Sequence, residues 1–310
     1  MYTRIPVGGL SREEWLRLRK TGIGGSDAGA ICGLNPYSSP MSVYCDKAGI
    51  GLGEENGREA VRQGHDLEGY VAQRFMEATG LKVRHSNYMY RSRENPFMIA
   101  DVDRLVVGED AGLECKTASA YNAGKWKDGG IPPHYVLQCA HYMAVTGKRA
   151  WYIAVVILGQ EFKYHKLAWD DELIGQLIRI ERDFWEGHVM PGNMPGPDGS
   201  EPCDEVLEQY FHTARKGSAI ELVGFDEKLD RREEILLQIA ELEKEQHRIE
   251  QEVKLYMEDN ERASSGKYRV SWGNVETVRL DAKRIRQEMP EVYRDYAKIS
   301  TSRRFQVKAA

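Results

Sequence analysis

The chain has 310 residues, with 43 Lys and Arg against 48 Asp and Glu, and a formal net charge of −5 at pH 7. This acidic balance excludes a protein that coats nucleic acid through bulk charge, but not a local basic groove, because the local field governs binding. No apolar run approaches the ~18 residues that a membrane span needs, and the first residues show no apolar secretory core. The five cysteines are scattered, which argues against a disulfide framework and predicts a reducing, cytoplasmic location.

Helix signals dominate the first part of the chain. A capping box, Ser-Arg-Glu-Glu, predicts a short helix over 11–20. A glycine-rich turn at 22–27 leads into a second helix, and a Ser-Pro pair begins a third that ends at Gly49. A fourth helix is predicted over 57–79. Its apolar stripe includes Leu67, Val71, Phe75 and Ala78.

Strand and helix patterns alternate through the middle of the chain. Period-two alternation and apolar runs predict strands over 81–90, 97–107, 111–117, 150–158 and 161–168. A loop that contains Lys125 and Trp126 precedes a helix predicted over 134–145, and an amphipathic helix is predicted over 170–188.

The last third of the chain has a different composition. Four prolines and three glycines in 190–202 indicate a linker or an irregular wrap over the core. A long helix is predicted over 226–260, with Gln246 in one slot of an otherwise apolar heptad seam. A hairpin around Gly273-Asn274 in 267–280, a short helix over 282–297 and a strand over 303–308 follow. We therefore predict three parts, 1–190, 191–217 and 218–310.

Charge is unevenly distributed over the predicted C-terminal part. Residues 221–261 have 6 Lys and Arg against 14 Asp and Glu, a local −8. This helix is either a solvated helix whose seam packs on the core or a coiled-coil contact with another subunit or protein. Residues 279–308 have 9 Lys and Arg against 4 Asp and Glu, a local +5. This tail either contacts a nucleic-acid backbone or neutralises the acidic helix.

A cluster of charged residues in two apolar strands is the strongest chemical signal. Side chains alternate along a strand, so Glu114 and Lys116 share one face, and Asp101 and Asp103 share a face of the preceding strand. Paired carboxylates are ligands that Mg²⁺ prefers, and a nearby lysine can orient water or stabilise charge. The alternative is a surface ion pair, but charges within apolar strands are costly unless they are paired or used.

Two helices carry further polar candidates. Glu68 lies three residues before Val71 and faces along the apolar stripe of its helix, where the alternative is a snorkelling glutamate. Tyr135, Gln138 and Tyr142 share one face of the helix over 134–145. Gln138 is therefore placed either to hydrogen-bond backbone or to hold a ligand beside Lys116.

Taken together, these residues resemble the PD-(D/E)XK nuclease superfamily, and more closely its lambda-exonuclease-like branch, the YqaJ-type viral recombinase family. The resemblance covers about residues 12–190 in order. Its motifs are Arg19 with the turn at 22–27, Gly64-His65-Asp66-Leu67-Glu68, Ile99-Ala100-Asp101-Val102-Asp103, Leu113-Glu114-Cys115-Lys116-Thr117 and Tyr135-Val136-Leu137-Gln138-Cys139. It implies an α/β (α+β) fold with a restriction-endonuclease-like central mixed sheet flanked by helices, followed by a C-terminal appendage of a long helix and a β-hairpin.

The resemblance also implies roles for individual residues. Asp103 and Glu114 would bind the metal, Glu68 would be a further acidic ligand, and Asp101 ranks below them. Lys116 would activate the nucleophilic water with support from Gln138. Ser26 and Arg19 would hold the 5′ phosphate of the digested strand, and Tyr135 would lie beside the DNA.

The activity that the resemblance implies is Mg²⁺-dependent, with Mn²⁺ as a substitute, and hydrolyses one strand of linear duplex DNA from 5′ to 3′. The 3′ tail would pass to a single-strand annealing protein of a phage recombination system in the cytoplasm of a bacterial host. Related enzymes form a trimeric ring, which implies a homotrimer. No ATP is expected, because the chain has no phosphate-binding G-x-x-x-x-G-K-[ST] motif. The alternatives are a structure-specific or restriction-like endonuclease and a non-catalytic scaffold that binds DNA ends.

Overall fold

The computed structural model describes residues 2–51, 59–298 and 302–308. The chain divides into two compact units, Met1–His212 and Thr213–Ala310. The three-part division at 190 and 218 stays a prediction. Within the described residues, no helix is long and apolar enough to cross a membrane.

A five-stranded sheet forms the centre of the first unit. Its strands lie in the order β2-β5-β6-β7-β8. Their bounds are Val83–His85, Arg104–Val106, Ala111–Ala118, Ala150–Ile157 and Glu161–Ala168. The pair β6 and β7 is parallel and the other neighbours are antiparallel. With helices packed on it, this mixed sheet confirms the predicted fold class.

A smaller antiparallel sheet in the same unit has the order β1-β3-β4. Its strands are Tyr2–Pro6, Tyr88–Ser92 and Ile99–Ala100. The strands predicted as continuous over 81–90 and 97–107 are each broken, because their two halves belong to different sheets. As a result Asp101 and Asp103 lie in the connection between β4 and β5 rather than on one strand face.

The first six helices of the first unit follow their local signals, whereas the seventh lies in the segment predicted as a linker or wrap. Their bounds are α1 Arg12–Arg19, α2 Gly25–Ile31, α3 Pro40–Lys47, α4 Glu59–Thr79, α5 Pro133–Thr146, α6 Asp171–Phe184 and α7 Glu201–Tyr210. The capping boxes of α1 and α3 are formed, by Ser11 with Glu14 and by Ser39 with Ser42. The predicted loop before α5 contains a short 3₁₀ segment, Ala120–Gly129, and a π-helical turn, Trp185–Val189, continues α6. Residues 57 and 58 of the fourth predicted helix lie outside the described residues.

Two apolar clusters cover the two faces of the sheet. Val71 and Phe75 of α4 pack with Leu113, Tyr152 and Ala154 on one face. Ala78, predicted on the same stripe, is exposed instead. On the other face α5 packs against the alternate positions of β7. These alternate positions are Trp151, Ile153, Val155 and Ile157. Because β6 obeys the same alternation, Glu114 and Lys116 face α5.

The second unit consists of a long helix, a hairpin and two short helices. Their bounds are α8 Asp226–Met257, β9 Arg262–Ser264, β10 Arg269–Ser271, α9 Ala282–Glu288 and α10 Pro290–Tyr296. The hairpin turns at Gly266, where Ser265 N donates to Tyr268 O at 2.8 Å, so the predicted turn at Gly273-Asn274 is wrong. The helix predicted over 282–297 breaks before Pro290, which cannot donate a backbone hydrogen bond. Residues 302–308 contain no strand.

Candidate active site

The centre of the site is a pair of side chains on strand β6. Lys116 Nζ lies 2.6 Å from Glu114 Oε1, and only 2% of Glu114 is exposed. Gln138 Nε2 of α5 donates to the same Glu114 oxygen at 2.7 Å and to the Tyr142 hydroxyl at 2.9 Å. The predicted sharing of one face by these two charges is therefore confirmed, and Gln138 fixes the orientation of the buried carboxylate.

Asp103 joins this cluster from the β4–β5 connection. Its Oδ2 accepts a hydrogen bond from Cys115 N at 2.8 Å. Burial raises the pKa of Asp103 well above its ordinary value of 3.8, and the charge of Glu114 raises it further, while Lys116 opposes the shift. The two carboxylates thus lie close enough for each negative charge to disfavour the other.

The donor set fits a hard divalent cation. Glu114 Oε2 is buried and has no hydrogen-bond partner, so one oxygen of this carboxylate is left free to bind a cation. Mg²⁺ binds oxygen ligands and is often held by one or two carboxylates together with substrate phosphates and water. No group of three or more His, Cys, Asp or Glu side chains in the described ranges could hold a metal ion. Asp103 and Glu114 are the two carboxylates of this cluster that could hold such a cation.

The two remaining acidic candidates have other partners. Glu68 of α4 forms an ion pair with Arg104, whose guanidinium also donates to Asp103 O at 2.7 Å. Asp101 Oδ2 accepts a hydrogen bond from Trp15 Nε1 of α1 at 2.8 Å. Burial raises the pKa of Asp101, and Trp15 and Arg19 oppose the shift. Both acids lie near the cluster, but neither carboxylate is free of partners.

Lys116 is held as a cation. Burial favours a lower pKa for Lys116, but Glu114 and then Tyr135 and Asp103 outweigh it, and its pKa is raised above the ordinary 10.5. Its Nζ lies 4.6 Å from the centroid of the Tyr135 ring, a cation–π contact. The ring of Trp126 stacks on the ring of Tyr135, with 5.8 Å between the two centroids. Tyr135 therefore contacts the lysine in this structure.

A second basic site lies at the start of α2. Arg19 Nη2 donates to Ser26 Oγ at 3.0 Å, and the guanidinium lies 5.0 Å from the Trp15 ring centroid. Asp27 accepts from Gly24 N at 2.8 Å and pairs with Lys47 Nζ at 2.7 Å. The two residues predicted to hold a terminal phosphate are thus brought together, and Trp15 contacts both Arg19 and Asp101.

Two glycines allow α2 to lie against α5. A Cβ atom on Gly25 would lie 2.5 Å from Cε1 of Tyr142, and one on Gly29 would lie 2.5 Å from Cβ of His134. Neither distance is compatible with a side chain at these positions. Gly25 and Gly29 therefore bring Ser26 next to the helix that carries Gln138, which is a packing role that the sequence alone did not indicate.

A buried His–Glu pair was also missed. His141 Nδ1 lies 2.8 Å from Glu181 Oε1, and its Nε2 lies 2.8 Å from Ile99 O, with both side chains fully buried. Because a carbonyl oxygen only accepts, Nε2 carries a proton. The pair joins α5 to α6, and the bond to the Ile99 carbonyl joins both helices to β4. Ile99 lies two residues before Asp101. Its only sequence signal is a histidine three residues after Gln138.

Comparisons with known proteins place this chain in one family. A model of the YqaJ-like viral recombinase domain matches residues 14–149. The Bacillus subtilis (strain 168) "Uncharacterized protein YqaJ" is 38% identical over 304 residues, which cover 96% of this chain and 95% of that protein. The chain belongs to the YqaJ-like viral recombinase family. The family model lies within the first unit, whereas the match to the Bacillus subtilis protein covers both units.

Solved structures give a weaker likeness to this YqaJ-like chain. The crystal structure of an alkaline exonuclease from Laribacter hongkongensis gives a TM-score of 0.49 at 19% identity, over 56% of this chain and 91% of that one. A phage-related exonuclease from Haemophilus somnus 129PT gives a TM-score of 0.39 at 15% identity, over 56% and 97%.

Proposed function

We propose that this YqaJ-like protein is a Mg²⁺-dependent exonuclease that digests one strand of linear duplex DNA from 5′ to 3′. The observation that supports it is the cluster of Asp103, Glu114, Lys116 and Gln138, with the Arg19–Ser26 pair at the neighbouring helix start. The product is a 3′ single-stranded tail for phage recombination.

Asp103 and Glu114 are the residues that would hold the divalent ion. When bound, the ion polarises the phosphodiester and promotes deprotonation of water. Gln138 donates a hydrogen bond to Glu114 Oε1, and Glu114 Oε2 has no hydrogen-bond partner. Glu68 acts through Arg104, which contacts the backbone carbonyl of Asp103 and so positions this residue.

Lys116 acts by its charge. The Glu114 carboxylate raises the pKa of this lysine despite burial, which supports a role as a cation. It stabilises negative charge that develops on the phosphate, and it orients the attacking water through its N–H groups. Tyr135 contacts the ammonium group of Lys116 with the face of its ring and lies beside the DNA.

Arg19 and Ser26 bind the 5′ phosphate of the strand being digested. A guanidinium and a hydroxyl at 3.0 Å from one another give charge-assisted donors for a phosphate. Trp15 links this end site to Asp101, so a bound 5′ end is placed at a fixed distance from the carboxylate cluster. Hydrolysis then starts from that end, which gives the proposed polarity.

The biological setting is part of the same proposal. The protein acts on double-stranded DNA ends without ATP, as a homotrimer, in the cytoplasm of a bacterial host. A single-strand annealing protein takes up the tail.

The end site is tested with matched duplexes that carry a 5′ phosphate or a 5′ hydroxyl. We expect the wild type to degrade the phosphorylated duplex at least tenfold faster, and Arg19→Ala to remove most of this difference. Arg17→Ala is the control, because Arg17 lies on the same helix with its side chain 73% exposed and pairs with Glu13. Equal rates on both duplexes would contradict the end site, and cutting within a closed circle would favour the endonuclease.

A further inference from the structure

The long helix α8 of the second unit presents an uncovered apolar seam. Of its 32 residues only Met257 is buried, and the exposed fractions of Ile239, Leu242 and Ile249 are 43, 65 and 51%. The seam positions alternate at intervals of three and four residues. They are Ile235, Ile239, Leu242, Gln246, Ile249, Val253 and Tyr256. This 3.5-residue period is the pattern of a helix that pairs with another helix along its length.

Four glutamates flank this seam. If Ile239, Gln246 and Val253 are the a positions and Leu242 and Ile249 the d positions, the four e and g positions between Ile239 and Val253 are all acidic. These positions are Glu243, Glu245, Glu250 and Glu252. Glu243, Glu245 and Glu252 have no ion-pair partner in the part of the chain that the structure describes.

These glutamates argue against a second copy of the chain as the occupant. In a parallel pair a g position faces the e position of the next heptad, which would put Glu245 opposite Glu250. In an antiparallel pair e faces e and g faces g, which again puts glutamate opposite glutamate. Like charges at these positions are destabilising. The basic helix α9 and the helix α10 are present in the structure and leave the seam exposed.

We propose that α8 binds a helix of another protein, one with apolar residues at heptad spacing flanked by Lys or Arg. The apolar seam supplies the contact area, and the four glutamates select a basic partner over an acidic one. Gln246 provides a polar core position that fixes the register of the pair. A nucleic acid does not fit this surface, because residues 221–261 have a net charge of −8.

The test uses two synthetic four-heptad peptides with Ile at a, Leu at d and one Gln at a, which differ only in Lys or Glu at e and g. Each labelled peptide is titrated with the full-length chain, and binding is followed by fluorescence anisotropy at fixed salt. We expect the Lys peptide to bind at least tenfold more tightly than the Glu peptide. Absence of binding by the Lys peptide would overturn the proposal.

Variants separate seam recognition from simple charge attraction. Reversal of the flanking charges should invert the preference, whereas the same charge change on the outer face should keep it within about threefold. The first variant is E243K/E245K/E250K/E252K, and the control is E227K/D230K/E234K/E241K. Leu242→Asp with Ile249→Asp should abolish binding although it makes the helix more acidic. Circular dichroism verifies that each variant keeps its helix.

Two results would contradict this assignment. If the Lys peptide still binds the variant with Leu242→Asp and Ile249→Asp, the attraction is one of charge alone. If sedimentation shows that this variant lowers the mass of the free protein, the seam pairs copies of this chain. Nuclease activity serves as an independent readout, since α8 is outside the catalytic machinery.

Discussion

Replacement of Asp103 by Asn should stabilise the protein while it abolishes hydrolysis. Asp103 lies beside Glu114, whose Oε2 has no partner, and burial with the Glu114 charge raises the pKa of Asp103. An Asn side chain keeps an oxygen that can accept from Cys115 N, now 2.8 Å from Asp103 Oδ2, but it removes the charge. Relief of an uncompensated, partly buried charge is worth about 1–3 kcal/mol. We therefore expect a higher free energy of unfolding without metal.

The raised pKa of Asp103 also predicts how the free energy of unfolding depends on pH. Because the pKa of Asp103 is higher in the folded protein than in the unfolded chain, the free energy of unfolding falls as pH rises from the ordinary 3.8 to the raised value. Asn does not titrate, so the advantage of the variant should grow over that range. Added Mg²⁺ should stabilise the wild type, by about 2.7 kcal/mol at 100 times the dissociation constant, and should leave the variant nearly unchanged.

Thermal unfolding in EDTA and then in Mg²⁺, followed by tryptophan fluorescence, measures both effects. Five of the six tryptophans lie in the first unit, so the signal reports mainly on it. A change of 1 kcal/mol corresponds to about 2–4 °C for a unit of this size. A variant that is less stable than the wild type in EDTA, or that gains as much stability from Mg²⁺, would refute the reasoning.

Three further substitutions test the packing around the site by chemical denaturation. Gly112→Ala should lower the free energy of unfolding by about 1–3 kcal/mol or more, because its Cβ would lie 2.2 Å from Cζ2 of Trp151; an unchanged value would show that the ring moves freely. Glu181→Ala should cost about 3–5 kcal/mol by leaving His141 without its partner; a loss below 1 kcal/mol would contradict the buried pair. Asp27→Asn should destabilise at neutral pH, because the charges of its basic neighbours lower the pKa of Asp27 despite burial. Its contribution is lost as the pH falls through that lowered pKa, so the effect of the variant should shrink in acid; a loss independent of pH would point to packing instead.

The strand periodicity was sufficient to predict the centre of the site. Two-residue alternation in 111–117 placed Glu114 and Lys116 on one face, and the helical spacing of α5 placed Gln138 and Tyr142 together. Both are local patterns that a short window of sequence contains. Another local pattern, the capping box, predicted the start of α1.

Interactions between distant segments were not predictable in the same way. Asp103 lies outside any strand because β4 and β5 pair in different sheets, a choice that depends on tertiary contacts. The bond from Trp15 to Asp101 joins residues 86 positions apart, and the Glu68–Arg104 pair joins α4 to β5. Helix α7, where Cys203 and Val206 are buried, was obscured by its proline- and glycine-rich surroundings. Each depends on the fold rather than on local propensity.

The most direct test of the proposed activity compares a linear 5′-phosphorylated duplex with a closed circle of the same sequence in Mg²⁺. We predict rapid nucleotide release from the linear DNA, none from the circle, and a loss of at least 10²-fold in Lys116→Ala. Lys166→Ala is the matched control, because this lysine of β8 pairs with Glu109 away from the cluster. Equal degradation of both DNAs, or a Lys116→Ala variant as active as the wild type, would contradict the account.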